Sequence, residues 1–389
     1  MSPQEDEQIR SQGRSTPQRT SGPGAVAPAV QGGRPSVNRL RVVHTTAIDY
    51  DRPVRTSYNE VRMTPVTSPG QTALEARIEV SPRGTAYRYQ DYWGTHVLAF
   101  DTQLTHTRLE VVSTSLVEVE QPAGAPSVRL GWHDLAAPDV RDGHVEWLGP
   151  RPVTRLGPEL VEASREVAAG LEPHAAALAV SSWVGGHMQY VPGVTGVHTS
   201  AQEAWLEGRG VCQDFVHIAL GALRGLGVPA RYVSGYLHPD ATAEVGRTVT
   251  GQSHAWVQWW VGEWFSFDPT NDRAAGLDHV VVATGRDYGD VSPFRGVISG
   301  GAGSRMDVRV ELTRERRAGP GDDRPDRPRL GPGHGPGTAP TPGVGNSGPC
   351  PSPPSRCPSP RRPRRSCGTS ASSRTSTTAS PRSPTGCCS

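Results

Sequence analysis

The 389-residue sequence contains no lysine: its 40 Lys+Arg residues are all arginine. The protein therefore has no ε-amine of its own. Cysteine is nearly as scarce over most of the chain. Cys212 stands alone, and the other five (Cys350, Cys357, Cys367, Cys387 and Cys388) fall in the last 40 residues. The folded region thus has no partner thiol, no disulfide framework and no cysteine-rich zinc spacing. No window approaches the ~18 apolar residues that span a bilayer. The first residues, MSPQEDEQIRSQGRSTPQ, lack the apolar segment of a secretory signal. A soluble, cytoplasmic protein with no membrane partner is expected. A formal net charge of +2 is too small to argue for a nucleic-acid partner. Aromatic residues stop at Phe294, and 16 of the 37 prolines lie beyond residue 319.

What remains divides by composition. Residues 1–38 are rich in Ser, Gln, Gly, Pro and Arg, and a disordered tail is expected because too little apolar surface is available to offset ordering entropy. Over 39–122, LRVVHTTAIDY, ALEARIEVS, THVLAF and TRLEVVSTSLVEVE alternate or run in β-formers between Pro and Gly breakers. They predict a β-rich, sandwich-like domain. Residues 123–155 read as a connector holding Trp132 and Trp147. Helical periodicity begins near Gly157, where PELVEASREVAAGL and PHAAALAVSSWVGGHM each carry Pro in the first turn. The core expected over 156–312 ends in a strand-rich stretch from Ala230. Residues 313–389 form a low-complexity tail, either flexible or the translation of a shifted frame in a GC-rich gene.

Cys212 sits where chemistry would use it. Phe215, Ile218, Ala219, Ala222, Leu223 and Leu226 recur at three- and four-residue steps and mark one apolar helix face. Gly227 and Pro229 end the helix, and Gly208 and Gly210 precede it. Cys212 therefore falls in the first turn. There the unpaired N–H groups and the positive end of the helix dipole favour a thiolate. Arg209 adds positive charge. A lone cysteine is more often a small buried hydrophobe, so a histidine is needed to turn the balance.

SHAWVQWW places His254 at the start of a β run, and WFSFDPTND places Asp268 near the end of the next. The two runs read as a hairpin that brings His254 and Asp268 to the same end. A thiolate attacking an amide needs a base and a proton donor for the departing amine, and imidazole does both. A carboxylate on the other ring nitrogen fixes its tautomer. Parity raises a difficulty. A two-residue Gly262-Glu263 turn pairs Val257 with Asp268 and sends His254 to the other face. An irregular turn, a bulge or a departure from the ladder at Asp268-Pro269 is therefore expected.

GVCQDFVHIALGALRGLGVPARYVSGYL, SHAWVQWW and WFSFDPTND, in that order, resemble the transglutaminase-like superfamily of papain-like cysteine enzymes. The resemblance is to its bacterial branch, with HTTAIDYDRPV opening a β-rich N-terminal domain. It implies an α+β core with the cysteine helix packed on an antiparallel sheet. It also implies Cys212 as nucleophile, His254 as base and proton donor, and Asp268 as the histidine's orienting partner. The implied activity is thiol acyl transfer on a glutamine side chain or a peptide bond. The substrate is then a protein or peptide, and no cofactor or metal is required. Hydrolysis by a cysteine peptidase or amidase is the alternative, and a non-catalytic peptide-binding module the reading from another class. No side chain is assignable to the oxyanion among Trp183, Tyr190 and Trp205; the backbone N–H of Cys212 is the natural first donor.

Cys212, Asp214 and His217 do not have a zinc spacing. Asp214 is expected to complement the helix N-terminus, and His217 to pack or bond locally. Trp256, Trp259, Trp260 and Trp264 are expected to be mostly core. SGGAGS (299–304) is too generic for a phosphate loop.

Overall fold

The computed structural model describes residues 36–316 apart from 123, 125, 241 and 302. Most of both expected tails therefore lies outside the described residues. The first half of the fold is β1 (Val37–Val61), β2 (Gln71–Ser81), β3 (Ala86–Gln90), β4 (His96–Thr102) and β5 (His106–Glu120). Short helices α1 (Trp132–Leu135), α2 (Pro138–Gly143) and α3 (Val145–Leu148) fill the connector. Then come α4 (Pro158–Ala168), α5 (Pro173–His187), β6 (Gln189–Tyr190), α6 (Ala201–Glu207), β7 (Arg209–Gly210) and α7 (Cys212–Gly225). The chain closes with β8 (Ala230–Leu237), β9 (Thr248–Trp260), β10 (Trp264–Asp268), β11 (Arg273–Ala274), β12 (His279–Gly285), α8 (Tyr288–Val291), β13 (Phe294–Gly300) and β14 (Ser304–Glu315).

The 25-residue β1 organises the β-rich half. Its first part is paired on one side with β5, from Val37 to Asp49, and on the other with β14, from Arg39 to Tyr50. The register then breaks, and the second part, from Val54, pairs with β4 and β13. The two sheets so formed enclose a core of Ile48, Val54, Val61, Met63, Leu98, Phe100, Leu109 and Val111. This is the sandwich that the alternating pattern predicts, with one strand shared by both layers. β14 also pairs with β9, so the sheet of the first half runs on into that of the second. Because Arg39 lies opposite Glu315, both β1 and β14 extend a few residues into the segments expected as tails.

In the second half the antiparallel order is β12-β8-β9-β10-β11, and α7 packs on it. Val216, Ala219, Leu220 and Leu223 of α7 share a core with Ala255, Val257, Trp259 and Val282, all buried. Buried Arg224 anchors the end of the helix, donating to the carbonyls of Ala230 (2.9 Å) and Arg286 (2.6 Å). Burial lowers its guanidinium to about 10, which leaves it charged at neutral pH beside the helix C-terminus. The two halves are stitched by a buried relay. The Tyr236 hydroxyl donates to the Met63 carbonyl (3.3 Å) and meets His44 Nδ1 (3.0 Å), while Thr46 Oγ1 reaches His44 Nε2 (3.1 Å).

Candidate functional site

α7 begins at Cys212, as its apolar spacing predicts, with Val211 as the extended residue before it. Gly208 ends α6 in the left-handed region (φ 62°), and β7 then pairs in parallel with β6, Tyr190 opposite Gly210. Gly210 serves by its small size: a Cβ there would fall 2.5 Å from Asp214 Oδ2. That oxygen accepts the Val211 N–H (2.8 Å) and the Thr195 hydroxyl (2.6 Å), so Asp214 complements the helix start as expected. Burial raises its carboxyl against these two bonds. His217 is fully buried, packed as expected, and its hydrogen bond is a distant one: it accepts the Tyr288 N–H at 3.2 Å. Arg209 is half exposed and paired with Glu207 (3.3 Å). Cys212 is buried.

The hairpin resolves the parity difficulty through its turn. Trp260 pairs with Trp264, so the loop is the three residues Val261-Gly262-Glu263, and Gly262 takes the φ of 105° that closes it. The register then runs to Phe267 opposite Val257. Asp268 follows on the face of Trp256, which is also the face of His254. β9 is flanked differently along its length. β14 pairs with it as far as Gly251, and β10 begins at Val257. Between those limits only β8 lies alongside, with Gly235 opposite His254. The Asp268 turn occupies the space so left. The structure thus joins two of the expected site residues directly: His254 Nε2 lies 2.7 Å from Asp268 Oδ2, both buried. Cys212 is placed by the packing of α7, in one core with Ala255 and Val257.

The Asp268 carboxylate is a node that sequence reasoning only half anticipates. Oδ2 also accepts Asn271 Nδ2 (2.6 Å) and His279 Nε2 (3.3 Å); Oδ1 accepts the N–H groups of Thr270 (3.0 Å) and Asn271 (3.3 Å). Burial alone would raise this carboxyl. The bonds from His254, His279 and Asn271 override it and hold the group well below the usual carboxylate range. His279 is lowered, chiefly by burial, against the pull of Asp268. Among the described residues His254, Asp268 and His279 are the group whose ligand atoms could gather a metal, all within 4.8 Å. The hydrogen bonding opposes that use. The Gly276 N–H points at His279 Nδ1 (3.2 Å), so the proton of that ring sits on Nε2, the nitrogen a metal would need bare. His279 and Asn271 were not foreseen; the one signal was Asn271 within FDPTND.

The tryptophans divide. Trp256 and Trp259 are core, as expected. Trp260 and Trp264 are half-buried; Trp260 lies 4.0 Å from the His144 ring, Trp147 meets Trp264 edge-on at 6.0 Å, and the Arg231 guanidinium lies 3.9 Å over Trp264. No helix among the described residues is long and apolar enough to cross a membrane.

A helix that starts at a cysteine, packed on an antiparallel sheet that carries a buried His-Asp pair, defines the papain-like class of cysteine-enzyme folds. The chain matches the bacterial transglutaminase-like N-terminal region over residues 40–118 and the transglutaminase-like superfamily over 162–269, and it belongs to that superfamily. An uncharacterized protein of Mycobacterium leprae is 45% identical over 71% of this chain and 99% of its own. An uncharacterized protein of Mycobacterium tuberculosis is 31% identical over 71% and 92%. Among solved structures, a protein of Cytophaga hutchinsonii named as a candidate cysteine protease has the same fold. Its TM-score is 0.55 at 18% identity, over 72% of this chain and 98% of that one.

Proposed function

We propose that the protein is a thiol acyl-transfer enzyme acting on an amide, a glutamine side chain or a peptide bond, through Cys212, His254 and Asp268. The observation that carries this reading is the buried 2.7 Å bond between His254 Nε2 and Asp268, in the fold of a cysteine-enzyme superfamily whose helix begins at Cys212. With Nε2 committed to the carboxylate, Nδ1 is the ring nitrogen for proton work. The proposal requires the reduced sulfur to meet it. The thiolate attacks the amide carbon, and the oxyanion is met first by the Cys212 N–H, one of the unpaired donors of the helix start. The C–N bond breaks as His254 gives its proton to the departing amine or ammonia. Water, deprotonated by His254, then releases the acid and restores the thiol. An amine in place of water yields a new amide. Having no lysine, the chain offers no ε-amine to that second route.

The test is reduction with dithiothreitol followed by incubation with a panel of glutamine peptides and intact-mass analysis. Wild type is expected to gain an acyl mass, with loss of ammonia or amine, that Cys212→Ala does not. Iodoacetamide titration is the second readout. A thiol that titrates near the free value of about 8.5, with no acyl adduct, would overturn the enzymatic reading in favour of a peptide-binding module.

A further inference from the structure

We propose that His279 and Asn271 are positioning residues of this site: they pin the Asp268 carboxylate in one orientation and keep it an acceptor, so that His254 alone carries the proton. The inference rests on the proposed function and deepens it.

Five donors converge on one carboxylate: three side chains on Oδ2 and two backbone N–H groups on Oδ1. That is more than the roughly four lone-pair directions such a group offers, so none is left open. Turning it breaks bonds on both oxygens at once. The donors come from separate pieces of chain. Asn271 belongs to the turn itself, His254 to β9 and His279 to β12, two strands over in the sheet. His279 can only donate. The Gly276 N–H holds its Nδ1 as an acceptor, and a second proton there would aim two N–H groups at each other. The charged or titratable groups facing it are Asp268 from β10, His254 from β9 and Arg273 from β11. The Trp256 ring meets it edge-on at 5.1 Å. His279 is thus a permanently neutral donor beside a histidine that must cycle.

The charge of Asp268 is what steadies an imidazolium at His254. Each additional donor takes a share of that charge. Remove His279 and the carboxylate is freer to turn, and the His254 ring it orients is held less firmly.

The experiment is alkylation of the reduced protein by iodoacetate, followed by mass spectrometry across pH. The anionic reagent reacts fastest with a thiolate beside an imidazolium, so the profile is bell-shaped and its shape reports that pair. His279→Ala and Asn271→Ala are expected to change the profile and to lower its maximum several-fold. His279→Gln, which keeps an N–H toward Asp268, is expected to restore it. A purely structural His279 would change the melting temperature and leave the profile in place; that outcome overturns the inference alone. A wild type without the bell overturns the proposed function, and this inference with it. Asn271 is exposed, so its variant reads the effect even where His279→Ala does not fold. Nitrogen-15 spectra of wild type supply the last check: at neutral pH His279 should carry its proton on Nε2 with Nδ1 bare, and a proton on Nδ1 refutes the assignment.

Discussion

Two neighbouring glycines near the end of α5 should behave oppositely when changed to alanine. A Cβ at Gly185 would lie 2.4 Å from the Pro269 carbonyl oxygen, whereas one at Gly186 meets nothing within 4 Å. An ordinary contact there begins near 3.4 Å, so Gly185→Ala must part the helix from the Asp268-Pro269 turn by about 1 Å. The backbone N–H groups of Thr270 and Asn271 bind Asp268 Oδ1, so turn and carboxylate move together. A shift of that size takes the 2.7 Å bond to His254 beyond hydrogen-bonding range. The overpacking costs about 1–3 kcal/mol, partly offset by the ~1 kcal/mol that alanine gains over glycine in a helix. Gly186→Ala keeps the gain without the cost. Thermal unfolding should therefore fall by up to about 8 °C for Gly185→Ala and hold or rise for Gly186→Ala. Iodoacetate alkylation of Cys212 near pH 7 should slow only in the first, and by as much as about 100-fold if the misplacement is not absorbed. Equal behaviour of the two variants would refute the claim that α5 seats the Asp268 turn.

Asp268 lies below its unfolded pKa, so it contributes stability that is present above about pH 4 and lost as pH falls. Urea midpoints of wild type should drop more steeply from pH 7 to pH 3 than those of Asp268→Asn; parallel curves would contradict this. Burial pushes His44 down to about 4. Below pH 6.5 the unfolded chain takes that proton first, which removes about 3 kcal/mol of stability by pH 4. His44→Gln should abolish that part of the acid loss in a denaturation series, and an unchanged series would rule it out. Arg231→Met keeps the apolar stem but loses the stack on Trp264 and the 2.7 Å bond to Gln258. It should lower stability by about 1–2 kcal/mol, with only the share due to the stack absent in a Trp264→Leu background, where the Gln258 bond is still lost.

The sequence by itself determined the pieces whose cause is local. Apolar spacing and glycine punctuation place Cys212 at the head of α7, and alternation marks β1, β5, β9 and β10. Period and breakers act over a few residues, so they are readable without knowing what packs where. The tertiary structure decided what depends on register and on distant partners. The three-residue turn, not visible in the pattern, put Asp268 on the face of His254. The change of partner along β9, from β14 to β10, opened the space for the turn, and β14 comes from the far end of the folded chain. His279 reaches the same carboxylate only because β12 pairs with β8. Hydrogen-bond convergence of this kind is a property of strand order, and strand order is set by long-range burial that no short window of sequence contains.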